Sequence, residues 1–538
     1  MLNNRQGQID RSERTGRLGD DDVRPDDELQ SLIDSRRQAA RDLPGWRSAP
    51  ERLLTLLQHA TRLRAMDIAQ VRDSDVPWES VLAQIITWHH EIPVGEGPCE
   101  DVEAADICLA ALEATRLDNL RGTLRAGGYE VRRRGDAFRI RHRWNPAVEA
   151  ADAFLEHATA PANVPGITSV ERAWIRSRPR ASRELPPADV LRAAAQRAKT
   201  AVDAYRHALP EGNLPDSFQL DGGLTVGQVA DVLSVVMGFA SLCEAAARML
   251  KRTETTLASL RRTTLLEMTA ELLPTVPTAC IDATIERLTY TRGRSCRVSP
   301  LAKLEDTIIV CPPLITPRVI DAIILRSSAY DPGRYGPVGQ RQGNRAVKWK
   351  DWLGQIPKVL VADRIRARRQ DRQTAGDLDV VAVDPSQRRG LCLEIKWPID
   401  AISLPEVTKI EDWVSSAAAQ VNRLRAELTS GSAVVEMPKG WPAFPEITWT
   451  WAVATPQQLC LRPLPFDDIY ATSFRYMASH GKPRSLDDVI DTLTSPDLPV
   501  DGVDFKIDTV DFLLGRQKVV LDAIGLTQKG WEPRRWNS

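Results

Sequence analysis

The sequence predicts an α+β multidomain protein: a large, mainly helical N-terminal region, then an αβββαβ domain on a mixed central sheet. Three observations carry this. At 538 residues the chain is long enough for several domains. Before about residue 290 apolar side chains recur at helical spacing; after about residue 300 they gather into short β-branched runs split by Gly and Pro. Apolar residues make up 43% and charged residues 27%, an ordinary balance that excludes wholesale disorder.

Residues 1–28 are rich in Arg, Asp and Gly and read as a disordered N-terminus. Residues 29–298 form the helical region, read as a recognition or regulatory part. Leu53, Leu54, Leu56, Leu57 and Leu63 sit at helical spacing, as do Leu109, Leu112, Leu117 and Leu120. One helix is expected over 187–209, and another over 225–252 with Thr225 as its N-cap. Leu224–Leu250 is the most apolar stretch, but Asp231, Glu244 and interrupting Gly, Ser and Gln make it a buried helix rather than a membrane span. Tyr129–Arg143 interrupts the helical pattern as a β-hairpin turning at Gly135-Asp136, with Tyr129, Val131, Phe138 and Ile140 on its apolar side. Six of its residues are Arg. They suit either a phosphate backbone or, the favoured reading, a solvated sheet paired with helix carboxylates.

Residues 299–340 read as a connecting segment, with apolar runs at Thr307–Val310 and Ala322–Leu325 before a Gly/Pro-rich stretch at Asp331–Gly339. The α/β domain follows at 341–470: a helix near 344–356, strands to about 397, a helix near 405–429 and a strand around Ile447–Val453. Residues 471–538 read as a helical and loop-like extension.

Lys and Arg total 71 against 72 Asp and Glu, so any nucleic-acid affinity must come from a local patch. Eight Cys form no CxxC and no zinc spacing with His. The N-terminus has no apolar run of the signal-peptide kind. The expectation is a reduced, cytoplasmic protein without a membrane segment or structural zinc. A Gly-x-x-x-x-Gly-Lys-Ser/Thr motif is absent, which argues against P-loop ATP hydrolysis. His89-His90 has no acid or Cys partner at ligand spacing and reads as structural. The Trp pairs 349/352 and 449/451 read as packing.

Chemistry concentrates between Gly376 and Trp397. Two β-rich runs, Leu378–Val383 and Leu391–Ile395, flank a polar turn with Pro385, Ser386 and Gly390, a hairpin with a longer loop. Glu394 and Lys396, two apart on one strand, share a face, while Leu393 and Ile395 take the other. If Val383 pairs with Gly390, Asp379 falls opposite Glu394; a slip of one residue would turn Asp379 to the core. Two carboxylates this close repel unless a cation joins them. Hard oxygen ligands suit Mg²⁺ or Mn²⁺, which lowers the pKa of water and stabilises charge on a phosphoryl group. A Lys alongside can orient or deprotonate that water.

Gly376-Asp-Leu-Asp379, fourteen residues and Glu394-Ile-Lys396 together resemble the PD-(D/E)xK nuclease superfamily, the restriction-endonuclease-like fold. The resemblance covers about 130 residues of the C-terminal part. It implies that Asp379, Glu394 and the carbonyl of Ile395 hold the metal and that Lys396 assists the attacking water. It also implies that Gln420, on the following helix, joins the catalytic set. Many members carry a Glu on the helix before the first strand; here that helix offers only Asp351, which puts a second metal in doubt. Of the 13 Lys, only Lys396 and Lys506 have an acid two residues before them, and Asp504-Phe-Lys506 lacks a paired upstream strand.

Residues 341–372 carry ten basic residues against three acids, a local field suited to phosphates. Lys348, Lys350, Arg364, Arg366, Arg368 and Arg369 are its candidate nucleic-acid contacts. The expected function is Mg²⁺-dependent endonuclease action on nucleic acid, DNA ahead of RNA, in bacterial defence against foreign DNA. A homodimer or a partner protein on the N-terminal helices would fit it. The alternative is a silent nuclease-fold scaffold, or an effector needing a partner.

Overall fold

A computed structural model describes residues 25–70, 78–125, 127–159, 166–177, 185–208, 216–220, 223–250, 257–296, 298–316, 319, 346–396, 404–456, 459–527 and 530–536. Most of the expected disordered N-terminus lies outside these residues, but its end does not. Helix α1 (Pro25–Arg41) starts inside it, because Pro25 at the first position and Asp26, Asp27 and Glu28 in the first turn all favour a helix start.

Helices α2 (Arg52–Gln70), α3 (Trp78–Glu91) and α4 (Asp101–Arg125) share a core that includes Leu53, Leu56, Ile85, Trp88 and Ile107. The expected helical face of α4 is half right: Leu117 and Leu120 are buried, whereas Leu109 is exposed. The hairpin β1 (Tyr129–Arg134) and β2 (Ala137–His142) turns where the sequence places it, pairing Arg134 with Ala137. After α5 (Pro146–Thr159) and α6 (Ser169–Ser177), α7 (Ala188–Ala208) packs on α8 (Val226–Met249). A Cβ on Gly238 would meet the Ala194 backbone at 2.6 Å, so the two helices approach through that glycine. Thr225 caps α8 in a reciprocal pair with Gln228. α8 is long and apolar enough to cross a membrane, yet Val229, Leu233, Val236 and Phe239 are buried in a core shared with α7, α9 (Arg262–Leu272) and α10 (Thr278–Leu288).

The connecting segment is not a linker where it is described. β3 (Ala258–Arg261), β4 (Ala302–Leu304) and β5 (Thr307–Val310) form a sheet in the order β3-β5-β4, and Ile308 and Val310 join the α8 core. Ala322–Leu325 and Asp331–Gly339 lie outside the described residues.

The second half is built on a six-stranded sheet in the order β11-β10-β8-β7-β6-β9. Its strands are β6 (Leu360–Arg369), β7 (Thr374–Asp384), β8 (Arg389–Ile395), β9 (Ala433–Val435), β10 (Thr448–Thr455) and β11 (Ile469–Ser473). β6, β7 and β8 run antiparallel and β8, β10 and β11 parallel, giving the expected mixed sheet. One face packs on α12 (Leu404–Thr429) through Ile410, Val414, Ala417 and Val421. The other packs on α11 (Ala346–Leu353), α13 (Phe474–Ser479) and α14 (Leu486–Thr494) through Trp349, Phe474, Met477 and Val489.

Two boundaries need correction. The limit at 470 cuts through β11, and the second core also takes Ala151 and Leu155 from α5 and Trp531 from the tail. The C-terminal extension holds the expected helices, α13 and α14, but also strands that the sequence reading did not place: β12 (Phe505–Leu514) and β13 (Gln517–Leu526) form a hairpin, and β13 pairs in parallel with β2. The four strands make one sheet in the order β1-β2-β13-β12. Local pattern alone cannot show this, since the partners lie more than 370 residues apart in sequence.

Candidate active site

β7 and β8 meet in the register read from the sequence: Val383 faces Gly390, Val381 faces Cys392 and Val380 faces Leu393. The turn between them is tied by Asp384, whose Oδ1 accepts the Ser386 N–H at 2.8 Å. Gly390 is needed for packing, because a Cβ there would sit 2.3 Å from the Trp449 ring.

Past Val380–Leu393 the two strands part. The Ile395 N–H, which a continuing ladder would give to a β7 carbonyl, donates instead to Asp379 Oδ2 at 2.8 Å. The Ile395 carbonyl lies on that same edge of β8. Alternation along the strands is interrupted at the same level. Ala362 and Ile365, and likewise Leu378 and Val381, are three apart yet pack in the same core. On β6, Arg364, midway between the pairs Asp363–Val380 and Ile365–Leu378, has φ +55°, a left-handed conformation unusual for a strand interior. Its charge acts on Asp379. The kink therefore lies directly beside the candidate carboxylate.

Glu394 keeps 9% of its side-chain exposure, and its Oε1 accepts from Lys396 Nζ at 2.7 Å. Leu391, Leu393 and Ile395 face one core and Cys392 the other, so Glu394 lies on the side of α12. The sequence allowed one core face and one site face; in fact both faces are packed, and the site occupies the end of the strands. Gln420 on α12 lines a small cavity there together with Glu394, Leu378 and Trp451.

Burial pushes the Asp379 carboxyl above its ordinary value, against the pull of the Ile395 N–H and of Lys396. Burial also raises Glu394, and the Asp379 charge raises it further. Asp377, exposed two residues before Asp379, adds negative charge to both. It is a member of the electrostatic site that the sequence reading passed over, although the spacing in Gly376-Asp-Leu-Asp379 signals it.

No group of three or more His, Cys, Asp or Glu side chains forms a metal site among the described residues. The donors here are two carboxylates and a backbone carbonyl. An all-oxygen set with two mutually repelling carboxylates fits Mg²⁺ or Mn²⁺.

The basic run is less free than its composition suggests. Lys350 pairs with Asp363, Arg368 with Glu436, and Arg369 with Glu427, each at 2.7–2.8 Å. Two of these acids come from α12 and the residue after β9, which a 32-residue window cannot include. Arg364 and Arg366 remain exposed and Lys348 half-exposed, as Lys358 and Arg372 of the same run are exposed. Arg341 and Arg345 lie outside the described residues.

Elsewhere the bland readings hold. His89 is buried, accepts from Arg52 Nε at 3.2 Å, and is pushed down to about 3 by burial and then by the Arg52 charge. Trp349 and Trp352 pack edge to face in the core, and Trp449 stacks on Phe444. Asp504 Oδ2 accepts the Val500 N–H, and the strand after it pairs with downstream β13 within its hairpin. All eight cysteines are free thiols. Comparison with protein-family models, with curated proteins and with solved structures finds no match for this chain.

Proposed function

We propose that this protein is a metal-dependent nuclease of the PD-(D/E)xK kind, hydrolysing phosphodiester bonds in DNA. The observation that carries the reading is the place where β7 and β8 part. There Asp379 caps the Ile395 N–H, and Glu394 and Lys396 stand on the adjoining strand. Asp379, Glu394 and the Ile395 carbonyl would hold Mg²⁺ or Mn²⁺. When bound, the ion supplies an acidified water and charge stabilisation at the phosphate. Lys396, held by Glu394, orients the attacking water or takes its proton. Gln420 offers an amide to the same cavity. Arg364 and Arg366, exposed on β6, would neutralise substrate phosphates. The large helical region suits recognition of a target or trigger, and a role in bacterial defence is an analogy at the level of fold. A cytoplasmic location belongs to the same reading.

The scaffold alternative rests on one observation: α11 contributes no acid other than exposed Asp351. A cleavage assay separates the two. Supercoiled DNA, linear duplex, single-stranded DNA and RNA are incubated with Mg²⁺ or Mn²⁺, with EDTA as control. Lys396→Ala and Asp379→Ala are each expected to lower cutting by about 10²-fold or more, with EDTA abolishing it. Cutting that survives both substitutions refutes the assignment. Binding without cutting under every condition favours the scaffold.

A further inference from the structure

We infer that the open face of the β1-β2-β13-β12 sheet is a second nucleic-acid contact, one that grips the phosphate backbone away from the candidate active site. The inference rests on the proposal that the substrate is nucleic acid. Along these strands Val131, Phe138, Ile140 and Val519 point inward to a core shared with α1 and α4. The alternate positions form the outer face. There Arg132 stands directly opposite Arg139, and Glu130 opposite Arg141. Arg134 lies on the same face of β1. Arg143 acts on Glu130 together with Arg132 and Arg141, so several guanidinium groups converge on one carboxylate.

Like charges directly opposite across a strand pair are destabilising. The fold gains nothing visible from placing Arg132 against Arg139. The Arg139 Nε is also buried without a hydrogen-bond partner. Among the described residues, the favoured expectation for these arginines, neutralisation by helix carboxylates, is met at Arg133. That residue pairs with Glu28 of α1 and lies over the Phe138 ring on the inner face. Arg132 meets only its neighbour Glu130, two residues away, and retains 62% of its side-chain exposure. A row of guanidinium groups on an open sheet, in excess over its acids, is complementary to the phosphates of a polynucleotide.

The face is joined to the candidate site by packed structure. Trp144, two residues after β2, packs on Leu461, with Val407 of α12 beside them. Gln420 lies thirteen residues further along the same helix, about 20 Å at 1.5 Å per residue. A strand of nucleic acid longer than this could engage both places.

The test measures binding without cutting. Fluorescence anisotropy of a 30-bp labelled duplex is followed across salt concentrations in EDTA, on the full chain carrying Asp379→Ala. Adding Arg132→Gln, Arg139→Gln and Arg141→Gln together should weaken binding at least about tenfold near 0.1 M salt. The log–log salt slope should fall by about two to three, roughly one per lost phosphate contact. Arg133→Gln, on the inner face, should leave the slope unchanged. The triple variant should stay folded, because it removes the Arg132–Arg139 opposition together with exposed pairings to Glu130 that contribute little, and its melting curve checks this. Unchanged affinity and slope in the folded triple variant overturn the inference. Since cutting is not read, loss of binding supports this surface even if the nuclease assay fails.

Discussion

Asp379 shows at the residue scale how a local departure from regular sheet makes a site. Its carboxylate replaces a β7 backbone carbonyl as acceptor for Ile395, which is possible only because the ladder ends one pair earlier. Burial raises its pKa above the ordinary value of about 3.8, so the native state retains a proton that the unfolded chain releases. In the metal-free protein this lowers stability as pH rises from that value through the raised one. Asp379→Asn keeps an acceptor for Ile395 and removes the charge. It should therefore stabilise the metal-free protein at pH 8, with the gain fading towards pH 4. Urea midpoints in EDTA at pH 4, 6 and 8 would check this, and a pH-independent difference would count against it. Adding Mg²⁺ should raise the melting temperature of the wild type and not of the variant. Arg364 offers a second case. A left-handed conformation costs a non-Gly residue roughly 1–2 kcal/mol, so Arg364→Gly should raise thermal stability or leave it level while slowing cleavage. A clear loss of stability would show that the arginine side chain, not the backbone, holds the kink.

At the scale of elements, α12 does more than cover one face of the sheet. Its Glu411 is fully buried and accepts the N–H groups of Leu461 at 2.9 Å and Arg462 at 3.1 Å, and the Cys460 thiol donates to it as well. A carboxylate is well suited to this task because its two oxygens accept several donors at once. Glu411→Ala leaves those buried donors without a partner, and a loss of about 2–4 kcal/mol is expected in urea unfolding. Glu411→Gln keeps one oxygen acceptor and should lose less. Equal losses would mean that the charge, rather than the acceptor geometry, secures the loop. The β7–β8 hairpin is the opposite kind of element. Its register follows once Val383 is set against Gly390 across the polar turn, a pairing the ladder keeps; both runs are nearly continuous in apolar residues, so alternation does not fix it. Its widening beyond Val380 was not legible, since no residue type announces where a ladder stops.

The whole molecule is less modular than its composition suggests. The core on one side of the main sheet draws residues from α5, from α11, from α13 and α14, and from Trp531. The β12–β13 hairpin completes a sheet begun near residue 129. A fragment of residues 341–470 should therefore lack a cooperative transition, having lost much of one face of its core. A fragment spanning 25–536 should retain one. Near-UV circular dichroism and limited proteolysis would show the difference; a well-folded 341–470 fragment would restore the boundaries read from sequence.

The sequence by itself determined what depends on neighbours along the chain. It placed the helices from their apolar spacing, the Thr225 cap, the hairpin at Gly135-Asp136 and the β7–β8 register from Val383–Gly390 to Val380–Leu393. These follow from periods of 3.6 and 2 residues and from turn chemistry, which need no distant partner. Only the tertiary structure decided which charges are paired, because Glu427 and Glu436 neutralise arginines that look free in a linear window. It alone joined β2 to β13, packed both faces of the main sheet, and turned Arg364 beside Asp379. Pairings between segments far apart in the chain are set by packing and hydrogen-bond satisfaction over the whole fold, and local pattern carries no record of them.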